Sequence, residues 1–173
     1  MKLIKLILLC SLSVVLVRCA AGKKNKVSYT DLQIKYAKIL NVEPYKIINQ
    51  KLYGFINEWY GTPYCMGGTT TKCIDCSAFI QKLLLNVYAV NIPRTSIEQF
   101  LKVVKFSETK YLSEGDLVFF HTVEDKDISH VGLYLQNHFF INAAESKGVS
   151  IANINDNYWK QSFIGSGRVK IMP

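Results

Sequence analysis

The stretch Lys72-Cys73-Ile74-Asp75-Cys76-Ser77-Ala78-Phe79 sets two cysteines three positions apart at the head of an apolar run. Such a pair can be half of a zinc site, a redox couple, one end of a disulfide, or a nucleophile beside a bystander. A zinc site from Cys65, Cys73 and Cys76 needs a fourth ligand at matching spacing, and the chain has no second Cys-x-x-Cys. A thioredoxin-type couple follows a strand in a βαβ unit, whereas the residues before this pair read as helix and then glycine-rich loop. A Cys65–Cys73 disulfide suits an oxidising compartment and leaves Cys76 free. A thiol nucleophile needs a histidine to take its proton and a third group to orient that histidine. Cys76 falls at the predicted start of an apolar helix, directly after Asp75, where unsatisfied amides and the helix dipole favour a thiolate. Cys73 falls in the loop before it. Of the three histidines, His130 opens a strand-like run, and Asn142 lies in the next such run, where a short turn brings two side chains onto one face. His121 and His138 sit near loop ends without such a partner.

The elements that must hold these residues follow from pattern. Thr30 caps a predicted helix from Asp31 to about Leu40. Pro44 opens a second, with Ile47, Ile48, Leu52, Phe55, Ile56 and Trp59 at helical spacing up to Gly61. Residues 61–75 are loop by composition. A third helix spans about Cys76 to Tyr88, and residues 95–99, Thr-Ser-Ile-Glu-Gln, read as a short capped helix. The pattern then changes to strand-like runs at 115–122, 129–136, 138–145, 148–154 and 166–172, rich in Val, Phe, Leu and Tyr. Helices first and strands later predict an α+β fold with a mostly antiparallel sheet of five to six strands. The aromatics Phe119, Phe120 and Phe140 are read as core.

The chain has 173 residues, 49% hydrophobic and 20% charged, which suits one globular domain with a core of its own. Its formal charge of +8 is scattered except for Lys23-Lys24-Asn25-Lys26. No basic reading helix or aromatic RNA platform accompanies it, so no nucleic-acid partner is expected. Lys2 and Lys5 precede an apolar run from Leu6 to Val17, the order of a secretory signal, and too short to span a membrane. The run ends Leu16-Val17-Arg18-Cys19, which resembles the lipobox of bacterial lipoproteins, where the cysteine is lipidated and heads the mature chain. Arg18 departs from the small residue usual before that cysteine. An ordinary cleaved signal near Ala20-Ala21-Gly22 is the alternative.

Several pieces together resemble the NlpC family of papain-like cell-wall peptidases. They are Gly61-Thr62-Pro63-Tyr64 with Gly67-Gly68, Asp75-Cys76-Ser77-Ala78-Phe79, Pro93-Arg94-Thr95-Ser96 with Gln99, and Gly115-Asp116-Leu117-Val118-Phe119-Phe120. His130-Val131-Gly132-Leu133-Tyr134, and finally Gly148-Val149 and Tyr158-Trp159, follow in order, so the likeness covers roughly residues 50–171. It implies a papain-like fold in which Cys76 is the nucleophile, His130 the base and Asn142 the orienting group, at a position where the family commonly has histidine. It implies that Tyr64 stands near the nucleophile at the oxyanion or substrate site, and that Asp75 and Ser77 belong to the pocket for the free amine of a peptidoglycan stem peptide. The aromatic common after Tyr64 is replaced by Cys65-Met66. The implied reaction is hydrolysis of a stem-peptide amide, between γ-D-glutamate and the diamino acid. The rivals are amidase, transpeptidase or acyltransferase chemistry on the same fold, or a non-catalytic wall-binding regulator. The organisation expected is a lipoprotein signal at 1–18, a tether and helical segment at 19–49, and a catalytic domain at 50–173. That predicts an exported monomer, anchored through Cys19 to a membrane, the outer one, facing the wall. No cofactor and no metal are expected.

Overall fold

The computed structural model describes residues 28–106, 109–121 and 127–169. The predicted signal, Cys19, most of the tether and the last residues of the final predicted strand lie outside them.

The chain begins with α1 (Asp31–Leu40), whose first turn carries the expected cap: Thr30 Oγ1 accepts from the Gln33 amide while Gln33 Oε1 accepts from the Thr30 amide. The single helix predicted from Pro44 to Gly61 is broken. Pro44–Lys46 form a 3-10 turn, Ile47–Asn49 leave helical geometry, and α2 (Gln50–Trp59) starts afresh. The cause is local: Asn49 Oδ1 accepts from the Leu52 amide at 3.0 Å, which caps a new helix. Ile47 is buried by the break and Ile48 is left 80% exposed, so the apolar pattern that looked continuous was two patterns. Next come α3 (Cys76–Tyr88) and α4 (Ser96–Lys102), the latter held by a Thr95–Glu98 capping box.

The strands are β1 (Val103–Phe106), β2 (Leu117–Phe120), β3 (His130–Tyr134), β4 (Phe139–Ala144), β5 (Gly148–Asn153) and β6 (Phe163–Val169), with a short helix α5 (Asn157–Ser162) before the last. They form one antiparallel sheet in the order β1-β6-β2-β3-β4-β5. The α+β reading holds, with two additions that the sequence pattern did not single out, β1 and α5. Alternation along the strands sorts the two faces. Leu117, Phe119, Val131, Leu133, Ile141 and Ala143 pack with Phe79, Ile80 and Leu83 of α3 and with Tyr36, Leu52 and Ile56 of the first two helices. Val118, Phe120, Tyr134 and Phe140 point the other way, to Trp159 and Phe163. Each fully buried aliphatic side chain in these layers contributes about 1.5–3 kcal/mol.

The loop before α3 is tied to the far edge of the sheet. The Gly61 amide donates to the Val149 carbonyl (2.8 Å), and the Val149 amide donates to the Thr62 carbonyl (2.9 Å). Gly148 makes this approach feasible: its φ is +64°, and a Cβ there would stand 2.2 Å from the Thr62 oxygen. Gly148→Ala should therefore lower stability by roughly 2–3 kcal/mol. Gly54→Ala, inside α2 where a Cβ meets nothing within 4 Å, should raise it by about 0.5–1 kcal/mol. Urea midpoints of the two variants, moving in opposite directions, check both.

Candidate active site

Cys76 is the first residue of α3 because Asp75 caps that helix, its Oδ1 accepting from the Ala78 amide at 2.8 Å. The Phe79 amide goes to the Asp75 carbonyl. The amides of Cys76 and Ser77 are left to face the Cys76 sulfur, and the Val131 amide reaches it from β3. All three favour an anion there. They are outweighed: the side chain is 6% exposed, and burial, with the Asp75 charge adding to it, pushes the thiol up to about 11. The helix start thus pulls in the expected direction without producing a resting thiolate. In its resting state the thiol lies against the Ser129 carbonyl at 3.9 Å, not against an imidazole.

His130 begins β3. In the β3–β4 register Gly132 lies opposite Asn142, so His130 and Asn142 are diagonal neighbours on one face. His130 Nε2 stands 3.1 Å from Asn142 Oδ1, while Asn142 Nδ2 donates to the Ser150 carbonyl at 3.1 Å. That second bond fixes which way the amide points, so Oδ1 accepts, Nε2 carries the proton, and Nδ1 is the bare nitrogen that can act as base. Asn142 is fully buried. The imidazole lies among Phe120 and Trp159, and burial lowers its pKa well below the usual histidine value, the Asn142 hydrogen bond opposing only in part. Both members of the pair are therefore neutral at rest. Cys76 approaches the start of β3 from the helical face, and the imidazole stands with the aromatics of the other. To pass its proton to Nδ1, the thiol must give up the Ser129 carbonyl and turn at the strand end. Apo sites are commonly slack in this way and tighten with substrate.

A raised thiol has a reactivity signature. The thiolate fraction is small at neutral pH and grows tenfold per pH unit until the thiol titrates, so the rate of Cys76 alkylation by iodoacetamide should still be climbing between pH 8 and 10. A plateau below pH 8 would mean a thiolate already formed at rest.

The other expected site residues sort into two groups. Tyr64 stands half-buried, close enough for the Cys76 charge to act on it, and burial pushes its phenol to about 12, so its hydroxyl remains a donor. It lies 3.8 Å from Met66 Sδ, and Met66 is 81% exposed on the loop. Asp75 is 5% exposed and already fully engaged. Besides the Ala78 amide it accepts from the Gly67 amide, the Ser77 hydroxyl and both terminal nitrogens of Arg94, which hold its carboxyl below the ordinary range against the push of burial. Arg94 Nη1 also donates to Ser77 Oγ at 2.9 Å. Asp75 and Ser77 therefore shape and hold the nucleophile's turn from within. Arg94 completes this cluster; no site role for it is legible in the sequence, because its partner is 19 residues away and no periodicity joins them.

Cys65 and Cys73 form a disulfide, so neither can ligate a metal, and among the described residues Cys76 is the free thiol. His138 lies at the β3–β4 turn, at the opposite end of β3 from His130, and the His121 amide donates to the Ser162 carbonyl. A cavity of about 90 Å³ between the far end of α3 and β6, lined by Leu84, Tyr88, Glu114, Asp116 and Arg168, contains none of these site residues. Among the described residues no helix is long and apolar enough to cross a membrane.

A cysteine at a helix start, reaching the first residues of a strand whose histidine leans on a sheet asparagine, in a helices-then-sheet chain, is the arrangement of the papain-like thiol hydrolase folds. Comparison with known sequences narrows the class: the NlpC/P60 family model matches residues 61–168, and the chain belongs to that family. It is 38% identical over 121 residues to the probable endopeptidase NlpC homolog of Haemophilus influenzae, covering 70% of this chain and 63% of the relative. It is 37% identical over 112 residues to the murein DD-endopeptidase MepS/murein LD-carboxypeptidase of Escherichia coli K12, covering 65% of this chain and 58% of that one. These matches span about three-fifths of the relatives' length. An NlpC/P60 family protein from Bacillus cereus aligns with a TM-score of 0.63 at 26% identity, over 70% of this chain and 40% of the other.

Proposed function

We propose that this protein is a cysteine peptidase that hydrolyses amide bonds in peptidoglycan stem peptides, at the γ-D-glutamyl–diamino acid bond. The observation that carries the reading is the His130 Nε2–Asn142 Oδ1 bond beside a thiol at the start of α3. In this mechanism the Cys76 thiol turns from the Ser129 carbonyl to His130 Nδ1 and gives up its proton as its sulfur attacks the scissile carbonyl. The Cys76 amide, unused by the helix, donates to the developing oxyanion, with the Tyr64 hydroxyl at hand. The imidazolium then protonates the leaving amine, and water, deprotonated by the same ring, releases the acyl group. Endopeptidase names among relatives of the same family support the peptidase reading over amidase, transpeptidase or acyltransferase chemistry.

The same reading assigns residues 1–18 as a lipoprotein signal, Cys19 as the lipidated residue, 19–49 as tether and helical segment and 50–173 as the catalytic domain. It makes the protein an exported monomer held at the outer membrane and facing the wall. The Cys65–Cys73 disulfide fits an oxidising compartment. The test is digestion of muropeptides followed by mass spectrometry. New fragments ending in D-glutamate are expected, and persistent cleavage by Cys76→Ala would remove the assignment. Palmitate labelling lost in Cys19→Ala tests the anchor.

A further inference from the structure

We propose that the Cys65–Cys73 disulfide is a positioning element of the reaction: it holds Tyr64 against the turn that carries the nucleophile, so that the enzyme works at full rate only while the bond is intact. The inference rests on the peptidase reading of the site.

The bond joins the residue after Tyr64 to a residue eight positions on, two before Asp75. The loop it closes has little else to hold it. None of residues 65–73 is buried, and no side chain among them enters either core cluster. Backbone bonds supply the rest. The Ile74 amide donates to the Pro63 carbonyl at 2.9 Å, the Cys65 amide to the Ile74 carbonyl at a long 3.4 Å, and the Asp75 amide to the Gly68 carbonyl at 3.2 Å. Tyr64 and Ile74 form a parallel bridge, so the segment bearing Tyr64 runs alongside the one that leads into Cys76. The disulfide fastens the two segments just past that bridge. Tyr64 therefore lies between two ties, the Thr62–Val149 backbone bond on one side and the disulfide on the other. Packing around the sulfurs is close: a Cβ on Gly68 would stand 2.4 Å from the Cys65 sulfur and 2.7 Å from the Cys73 carbonyl oxygen. Two separate thiols stand further apart than two bonded sulfurs, so the loop has to yield when the bond is broken. A segment with few buried contacts opens locally at little cost. Tyr64 then loses its fixed place, and a shift of about 1 Å in a positioned group can cost roughly a hundredfold in rate. The opening also uncovers Cys76, which is 6% exposed with the loop in place. Both bridged cysteines are partly exposed, so a reductant can reach the bond.

The experiment compares the native protein with Cys65→Ser/Cys73→Ser, and each of these with its Tyr64→Phe counterpart, on a defined stem peptide. Without the bond kcat should fall about tenfold, with KM within about threefold. Tyr64→Phe should slow the native protein about tenfold. It should slow the disulfide-free protein less than about twofold, because a hydroxyl that has lost its place has little left to give. Dithiothreitol delivers two electrons and two protons to the bond and leaves as its own cyclic disulfide. It should slow the native protein and leave the disulfide-free one unchanged. Alkylation of Cys76 by iodoacetamide at about pH 8, followed by mass spectrometry, should be roughly threefold faster or more in the disulfide-free protein. Native kcat in that variant, or in native protein whose bond is shown to be reduced, overturns the proposal. So does an equal loss from Tyr64→Phe with and without the bond, which would make the disulfide a staple of the fold alone. If the serine variant does not fold, Cys65→Ala/Cys73→Ala, which asks for less room, decides by the same readouts. If the native protein cleaves no stem peptide, the peptidase reading fails on its own. Alkylation of Cys76 then still decides whether the bond holds the loop over the nucleophile, and equal rates with and without it overturn the proposal.

Discussion

Cys76→Ala and His130→Ala should each reduce muropeptide cleavage by roughly ten-thousand-fold or more, and combining them should cost little beyond either alone. In the proposed reaction the sulfur is the atom that bonds to the acyl group, and without it no covalent route exists. Without the imidazole the thiol has no base, and burial holds it near 11, so almost no thiolate arises at neutral pH. The two losses overlap because each residue is useless to the reaction without the other. Asn142→Ala is expected to be less severe, about a hundredfold, because it frees the ring without deleting it. Asn142→His should keep part of the rate, since an unprotonated ring nitrogen can accept from Nε2 as Oδ1 does, though the anchoring bond to the Ser150 carbonyl is lost. Steady-state kinetics on a defined stem peptide separate these cases. An Asn142→Ala enzyme with native kcat would remove Asn142 from the site.

Arg94→Ala should have the largest effect on stability among the site variants, about 2–3 kcal/mol, and should slow the enzyme as well. The Asp75 side chain is 7% exposed, and Arg94, at 38%, supplies its only counter-charge among the described residues. Removing one partner of such a pair leaves a buried charge uncompensated, which for a fully buried pair costs about 3–5 kcal/mol; the open side of the guanidinium reduces that figure. The uncompensated carboxylate also borders Cys76, whose thiol it already pushes upward. Alkylation of Cys76 should shift to higher pH in the variant, and its thermal midpoint should fall. Arg94→Lys restores the charge without the fork that meets both Asp75 oxygens and the Ser77 hydroxyl, and should recover only part of either loss.

The features legible in the sequence were those written in local pattern. The cap at Thr30, the apolar run from Cys76, and the alternating β3 and β4 runs all appear where pattern placed them, and with them the His130–Asn142 pair. Features that depend on chain-distant partners were not legible. Arg94 stands in a family-like piece, but nothing in that piece points to Asp75 until the chain is folded. Val103–Phe106 is too short to announce itself, and becomes a strand because β6 offers it an edge. Trp159 was one residue of a family-like pair, and its helix is only six residues long, without a side-chain cap hydrogen bond. The expected lowering of the Cys76 thiol followed from the helix alone. The sheet and core that bury the sulfur reverse its sign.

The backbone bonds joining Gly61, Thr62 and Val149 give the site a particular mechanics. The segment that leads to Tyr64 and the nucleophile is stitched to β5, and β5 is stitched through β4 to the strand that bears His130. The loop before Cys76 and the strand of His130 are consequently parts of one girder. Separating them would mean breaking the bonds to β5 or unzipping that outermost strand from β4. In the proposed reaction the moving part is therefore the thiol, turning between the Ser129 carbonyl and the imidazole.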